Sequence, residues 1–138
     1  MAQEHFASNL LRGRLLGLAR GWDRGLGPRA LLACPPGERH ELALIVFGIA
    51  LRAQGWRITY LGADTPVESL APAGANAVVV ATDAARFEAV AEELAALARS
   101  VDVALAGAGA SEELAARVGA RLLPADPFRA AEELARTS

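Results

Sequence analysis

The feature that most constrains this chain is a regular alternation, from Arg29 onward, of short apolar runs with segments of helical periodicity. The apolar runs predict five strands, at 30–33, 57–61, 77–81, 101–106 and 121–123. The intervening segments predict helices at 39–54, 66–70, 84–99, 111–118 and 127–136. Because strands that alternate with helices indicate βαβ units, we expect an α/β domain with a doubly wound, five-stranded parallel sheet and helices on both faces.

A separate pattern precedes this domain. Apolar residues recur near helical spacing from Gln3 to about Trp22, which predicts an amphipathic N-terminal helix. Gly21, Gly25 and Pro28 then interrupt the pattern and predict a flexible link. We therefore expect two parts, a helix with its linker at 1–28 and the α/β domain at 29–138, and a chain of this length suits one compact core.

Composition excludes several functions. Every basic residue is Arg and none is Lys, so a Schiff-base, P-loop or phospho-receiver lysine is excluded. The net charge of −2 and the lack of a basic run argue against nucleic-acid binding through this chain. The single cysteine, Cys34, cannot form an internal disulfide. The apolar stretch 42–51 is too short to span a bilayer, and the sequence shows no export signal. We expect a cytoplasmic protein with no membrane partner.

The predicted sheet also indicates where a ligand would bind. In open parallel sheets, ligands bind outside the carboxyl ends of the strands, where the strand order reverses. The loops at this edge are 34–39, 62–66, 82–85 and 107–111. A candidate site therefore has to be sought among these four loops.

One of the chain's two histidines, His40, follows the first of these loops. Glu38 lies two residues earlier, where its carboxylate could accept a hydrogen bond from the imidazole. Such a carboxylate selects the tautomer that leaves the other ring nitrogen free as a metal ligand. The alternative from spacing alone is structural: Glu38 favours a helix N-terminus, and His40 is a partly exposed residue at the start of that helix.

The same loop carries a family resemblance. The sequences ACPPGERHEL at 33–42 and GWRITYLGADTP at 55–66 resemble the cobalamin-binding domain family, whose Asp-x-His-x-x-Gly motif supplies the lower axial ligand to cobalt. Here Glu38 takes the Asp place and Ala43 the final Gly place, and the Glu-x-His form is similar to the light-sensing, MerR-type repressors of the CarH and LitR group. The resemblance implies a flavodoxin-like (Rossmann-like) fold, His40 as the cobalt ligand, and cofactor contacts from Glu38 and Arg39.

In that family the histidine displaces the cofactor's dimethylbenzimidazole base, and the nucleotide tail enters the sheet. The resemblance assigns the tail pocket to small residues at the strand ends: Ala81, Thr82, Gly107, Ala108 and Gly109. Ala81 stands where the family has a serine that contacts the tail base, and Thr82 is the nearest substitute. Ala106 replaces the first glycine of a Gly-Gly pair. The alternative is that Gly107 and Gly109 turn the chain into the next helix.

The loop after the second strand allows two interpretations. Asp64 and Thr65 precede Pro66, an order typical of a helix cap with proline at the first helical position. The family resemblance implies instead that this loop approaches the corrin side chains through Leu61, Gly62 and Asp64.

The N-terminal segment carries a second resemblance. Glu4 and His5 resemble the end of the Trp-x9-Glu-His motif in the helical cap of the photoreceptor repressors, where the cap covers the upper face of the corrin. The segment 1–28 is then a remnant of that cap, and His5 is a candidate upper ligand if cobalt is nearby. Trp22 cannot be the tryptophan of this motif, because it follows Glu4 and His5 in the sequence instead of preceding them. We expect Trp22 to pack against the sheet.

The sequence is compatible with three functions to different degrees. We expect a non-catalytic cobalamin-binding module related to a light-responsive transcriptional regulator, with adenosylcobalamin as the cofactor and methylcobalamin or hydroxocobalamin as the other forms. Its further partners would be a second copy of the chain, or a cap or DNA-binding domain outside it. The alternative is a corrinoid carrier domain of a methyltransferase or mutase. A flavin- or nucleotide-binding domain is disfavoured, because the phosphate-binding loops that it needs are not found.

Overall fold

The computed structural model of the protein describes residues 21–71 and 76–136. The predicted N-terminal helix lies outside these residues, and so do Glu4 and His5. Within the described part of the chain, no helix combines the length and the apolar character needed to cross a membrane.

Strands and helices alternate along the described chain. The strands are β1 (Arg29–Ala33), β2 (Arg57–Gly62), β3 (Asn76–Val80), β4 (Asp102–Ala106) and β5 (Arg121–Leu122). The helices are α1 (Leu42–Ala53), a 3-10 helix (Val67–Leu70), α2 (Ala84–Glu88), α3 (Ala91–Leu97), α4 (Glu112–Val118) and α5 (Pro127–Arg136).

The five strands form one parallel sheet in the order β2-β1-β3-β4-β5. This is the flavodoxin-like order, in which the chain reverses direction across the sheet between β1 and β3. The predicted fold class is therefore confirmed. The loops that leave β1 and β3 lie side by side at the carboxyl edge, at the position where such sheets bind ligands.

Apolar side chains cover both faces of the sheet. On β1, Leu32 belongs to the cluster that packs under α1 and α5, whereas Leu31 belongs to the cluster under the 3-10 helix, α2, α3 and α4. This alternation follows from the two-residue period of a strand. Because both faces are buried, the strands are almost continuously apolar, as is typical of parallel sheets.

One predicted helix is divided in two. The periodicity over 84–99 predicts a single helix, but α2 ends at Glu88 and α3 begins at Ala91. At the junction the Val90 N–H donates to Phe87 O (3.1 Å) in a tight turn, and Val90 has φ −122° and ψ 19°. Val90 is β-branched and fits a helix less well than Ala or Leu, and this turn buries both Phe87 and Val90 in the core.

The segment 21–28, predicted as a flexible link, is packed against the domain. Trp22 is buried, and its carbonyl accepts a hydrogen bond from the Ile58 N–H (2.7 Å). Gly48 on α1 makes room for the indole, because a Cβ at Gly48 would lie 2.4 Å from Trp22. The Arg52 guanidinium donates to the carbonyls of Trp22, Arg24 and Trp56. Trp22 therefore packs in the core, as expected, and Arg52 fixes the link.

Candidate cofactor-binding site

A buried carboxylate joins the two loops at the reversal point of the sheet. Glu38 lies in the loop between β1 and α1 and is 2% exposed. Its Oε1 accepts hydrogen bonds from the Thr82 backbone N–H (2.6 Å) and the Thr82 hydroxyl (3.0 Å), beyond the end of β3. Its Oε2 accepts from the His40 backbone N–H (3.2 Å) and from His40 Nδ1 (3.0 Å). The predicted Glu38–His40 hydrogen bond is confirmed, and Thr82 completes a three-residue network.

The electrostatics of Glu38 match this geometry. Burial by itself raises the pKa of the carboxyl, but the hydrogen bonds from Thr82 and His40 outweigh burial and lower the pKa to about 2. Glu38 is therefore ionised near neutral pH. An ionised carboxylate is acceptor-only, so it fixes the proton of a neutral His40 ring on Nδ1.

His40 itself is presented to solvent. It precedes α1, which begins at Leu42 rather than at residue 39, and its side chain is 81% exposed. In the neutral ring, Glu38 favours the tautomer with the proton on Nδ1, which leaves the Nε2 lone pair on the accessible side of the ring. A histidine that served only to start a helix would not need a buried carboxylate to orient it.

The backbone around His40 is held by two further contacts. The Cys34 thiol donates to the His40 carbonyl at 3.8 Å, and the Tyr60 hydroxyl donates to the Glu41 carboxylate at 2.5 Å. Burial, with the nearby charges of Glu38 and Glu41, raises the pKa of Cys34 to about 12. The thiol is therefore protonated at neutral pH and is not a thiolate ligand.

Asp64 supports the same loop, so its interpretation as a helix cap is wrong. Pro66, not Asp64 or Thr65, is the N-cap of the 3-10 helix, and no side chain caps it. Asp64 has a positive φ of 50°, and its carboxylate accepts a hydrogen bond from the Gly37 N–H (2.7 Å) and lies 3.7 Å from the Arg39 guanidinium. Its own N–H donates to Glu38 O (2.9 Å). The β2 loop thereby braces the loop that carries His40.

A narrow apolar cavity opens near this edge, between α1, the ends of β3 and β4, and the start of α5. Gly107 lines it together with Phe47, Val80, Ala106, Pro124 and Ala130. Gly107 has φ 93°, and a Cβ there would lie 2.4 Å from the Ala81 carbonyl oxygen. Only glycine therefore allows the β4 loop to pack this closely on the end of β3.

The structure separates the residues assigned to the tail pocket. Gly107 lines the cavity, whereas Ala81 is buried in the cluster on the opposite face of the sheet, and its carbonyl accepts from the Gly109 N–H (3.0 Å). Ala108 is exposed, and Thr82 binds Glu38 rather than lining the cavity. The small residues are thus used mainly to bring the β3 and β4 loops together.

The other predicted contacts lie around the histidine loop. Leu61 is partly exposed (37%), Arg39 is exposed, and Gly62 is buried, where a Cβ would lie 3.2 Å from the Glu41 carboxylate. The sequence reasoning missed the Glu41–Tyr60 pair and the contributions of α1 and α5 to the cavity. The strong amphipathic pattern of 127–136 predicts a buried face on α5, but it does not indicate what that face covers.

These residues fit a cobalt-containing corrinoid. A neutral imidazole nitrogen, backed by a carboxylate on the other ring nitrogen, is a good metal donor. The β4 loop packs so closely on the end of β3 that there is no room for a Cβ at Gly107, and the neighbouring cavity is lined by apolar groups. This lining matches a flat aromatic base in chemistry but not in size, because the cavity measures only about 20 Å³.

Two curated repressors from Myxococcus xanthus are similar to this chain. The HTH-type transcriptional repressor CarA is 41% identical over 125 residues, which cover 84% of this chain and 43% of CarA. The HTH-type transcriptional repressor CarH is 40% identical over 70 residues, covering 51% of this chain and 23% of CarH. The chain therefore spans less than half the length of the repressors that it matches. No protein-family model matches it.

Solved structures share the fold. The monomethylamine corrinoid protein of Methanosarcina barkeri superposes with a TM-score of 0.74 at 18% identity, covering 96% of this chain and 67% of that chain. A cobalamin-binding protein from Desulfitobacterium hafniense DCB-2 gives a TM-score of 0.68 at 20% identity, covering 81% and 60% of the two chains. The sequence relationship to the two repressors and the fold shared with these proteins support the resemblance found in the sequence: the chain is related to part of the CarA and CarH repressors and has the fold of these corrinoid- and cobalamin-binding proteins.

Proposed function

We propose that this chain is a cobalamin-binding module in which His40 Nε2 is the lower axial ligand to cobalt, with the cofactor's own base displaced. The observation that carries the proposal is the network of Glu38 with His40 and Thr82, which presents an oriented, exposed imidazole at the reversal point of the sheet. The relationship to CarA and the fold shared with corrinoid proteins support the choice of cofactor.

Each residue of the site has a role in this proposal. Glu38 holds the proton on Nδ1 and increases the basicity of Nε2, and Thr82 keeps Glu38 ionised and in place. Asp64 fixes the loop path and lies beside Arg39, whose exposed guanidinium would contact the cofactor. The displaced base would have to enter beside Gly107, where the lining is apolar but the cavity measures only about 20 Å³. The cofactor, when bound, supplies a cobalt–carbon bond that light can break.

We further propose a regulatory rather than a catalytic role, with adenosylcobalamin as the cofactor. Both curated relatives are transcriptional repressors, and the chain corresponds to less than half of each. Its net charge of −2 gives no electrostatic reason for binding DNA through this chain, so DNA recognition would reside in a separate domain. Light would act on the bound cofactor and change how this module associates with that domain or with a second copy.

Because the chain has two histidines, the ligand assignment can be tested with a matched control. Wild type, His40→Ala and His5→Ala are loaded in the dark with adenosylcobalamin and with reduced cob(II)alamin. We expect wild type and His5→Ala to give a spectrum with the cofactor base displaced and histidine bound, and His40→Ala to lose it. In ¹⁵N-histidine protein, the nitrogen splitting of the cob(II)alamin electron paramagnetic resonance signal should change from three lines to two. An unchanged spectrum in His40→Ala would refute the assignment.

The alternative is a corrinoid carrier domain. The observation that favours it is the superposition with the monomethylamine corrinoid protein, which extends over 96% of this chain. That likeness, at 18% identity, concerns the fold, whereas the 41% identity to CarA is a sequence relationship. A carrier would exchange a methyl group with a partner enzyme. Photolysis of bound adenosylcobalamin that alters the oligomeric state of the protein would favour the regulatory role.

A further inference from the structure

We infer that Tyr60 is a positioning residue for the cobalt ligand. Its hydroxyl acts through Glu41, the residue next to His40, and its ring joins the histidine loop to the link at 21–28. The inference rests on the proposed function, and it adds a regulation of that site: the position of the link would influence how tightly His40 binds cobalt.

The backbone at His40 lies between the loop and the following helix. The periodicity of the sequence predicts a helix from residue 39, yet α1 begins at Leu42. Glu41 is the N-cap of α1, with φ −110° and ψ 5°, but its side chain makes no capping hydrogen bond. A carboxylate is normally stabilised at the N-terminus of its own helix. Here the carboxylate is bound to another element, and residues 39–41 remain in the loop.

That other element is β2. Glu41 is 3% exposed, and its Oε2 accepts a hydrogen bond from the Tyr60 hydroxyl (2.5 Å). Gly62, two residues after Tyr60, leaves room for this carboxylate, because a Cβ there would lie 3.2 Å from Oε2. Removing a donor from a buried carboxylate favours positions nearer to water. Glu41 would then move outward, and the adjoining backbone of His40 would move with it.

The ring of Tyr60 makes the second contact. It meets the Trp22 indole edge-on, with ring centroids 6.1 Å apart and an interplanar angle of 76°, which is an arrangement that aromatic pairs prefer. Trp22 is buried, and its carbonyl accepts from the Ile58 N–H (2.7 Å). The docked link therefore orients the Tyr60 ring, and the ring places the hydroxyl against Glu41. Side chains in direct contact thus connect the link to the residue beside His40.

A connection of this kind acts in both directions. If docking of the link at Trp22 favours the cobalt-binding position of His40, then cobalt binding favours docking of the link by the same factor. Without the Tyr60 hydroxyl, we expect His40 to hold that position only about a tenth of the time. Cofactor binding then weakens about tenfold, because the apparent affinity falls with the fraction of protein that is competent to bind.

The first test asks which nitrogen binds cobalt. Protein labelled with ¹⁵N-histidine is loaded with unlabelled cob(II)alamin, so His40 splits the electron paramagnetic resonance signal into two lines and the cofactor's own base splits it into three. We expect two lines in wild type. In Tyr60→Phe we expect a mixture of two and three lines and about tenfold weaker binding. The control Ser100→Ala should behave as wild type, because it removes a hydroxyl hydrogen bond to Leu97 O (3.4 Å) at the opposite edge of the sheet.

A double-mutant cycle asks whether Tyr60 acts through Glu41. In a Glu41→Leu background the hydroxyl has lost this acceptor, so Tyr60→Phe should weaken binding far less than it does in wild type. Equal losses in the two backgrounds would overturn the role of Glu41.

The link is followed through the Ile58 amide, whose exchange with solvent requires its hydrogen bond to Trp22 O to open. In wild type, adding adenosylcobalamin in the dark should slow the exchange of Ile58 more than that of Leu123, whose N–H donates to Leu105 O (2.9 Å) between β4 and β5. In Tyr60→Phe the two amides should be slowed equally.

The outcomes separate this inference from the proposed function. Absence of the two-line signal in wild type would overturn the proposed function itself. A two-line signal and an affinity that Tyr60→Phe leaves unchanged would overturn the positioning role and leave cobalt binding by His40 intact. Equal slowing of Ile58 and Leu123 in wild type would overturn the connection to the link. The exchange measurement on wild type needs no variant, so a variant that does not fold leaves the inference testable.

Discussion

Replacing Glu38 with glutamine removes the charge at the centre of the site while preserving its shape. In the wild type, the two carboxylate oxygens accept four hydrogen bonds, two from Thr82 and two from His40. In Glu38→Gln one oxygen becomes an amide nitrogen, which donates rather than accepts. Whichever way the amide is turned, its nitrogen faces a backbone N–H, of Thr82 or of His40, that loses its acceptor.

The size of the effect follows from the pKa. Lowering the pKa of Glu38 from 4.5 to about 2 corresponds to about 3 kcal/mol, since one pKa unit is about 1.4 kcal/mol. Leaving one buried backbone N–H without its acceptor costs about 1–3 kcal/mol, which is a figure of similar size. We therefore expect Glu38→Gln to lower the free energy of unfolding by about 3 kcal/mol and the Tm by about 10 °C.

Urea unfolding of the cofactor-free protein at pH 7, followed by circular dichroism, measures this difference. The control is Glu132→Gln, an exposed glutamate within α5, for which we expect a change below about 0.5 kcal/mol. Because the folded pKa is below the unfolded value, the contribution of Glu38 is fully present above about pH 4.5 and is lost as the pH falls toward 2. The difference between wild type and Glu38→Gln should shrink over that range. If Glu38→Gln is as stable as Glu132→Gln at pH 7, the network does not hold the loop.

Two further predictions concern packing at the same edge. In urea unfolding, Gly107→Ala should destabilise the fold by at least about 2 kcal/mol more than the control Gly55→Ala. Both glycines have a positive φ, but only at Gly107 would the new Cβ meet a neighbour, 2.4 Å away. Equal losses would show that the β4 loop is not packed on Ala81. Cys34 is buried and its pKa is raised to about 12, so we expect it to resist a thiol reagent at pH 8 until the protein unfolds. Rapid labelling of the native protein would contradict its place beneath the His40 carbonyl.

The sequence by itself determined the features that depend on near neighbours. The alternation of apolar runs with helical segments predicts the order of strands and helices, and with it the edge of the sheet at which a ligand binds. The pairing of Glu38 with His40 is equally local, because two residues of a short loop cannot move far apart. For this reason the fold class and the orientation of the imidazole were predicted correctly.

Tertiary structure decided the contacts between distant segments. The hydrogen bonds from Thr82 to Glu38 join residues 44 positions apart, and those of Asp64 with Gly37 and of Tyr60 with Glu41 depend on where β2 ends beside β1. The apolar cavity likewise exists only because α5 packs against α1. Periodicity shows which face of each element is buried, but it does not carry the register and loop paths that place one element against another.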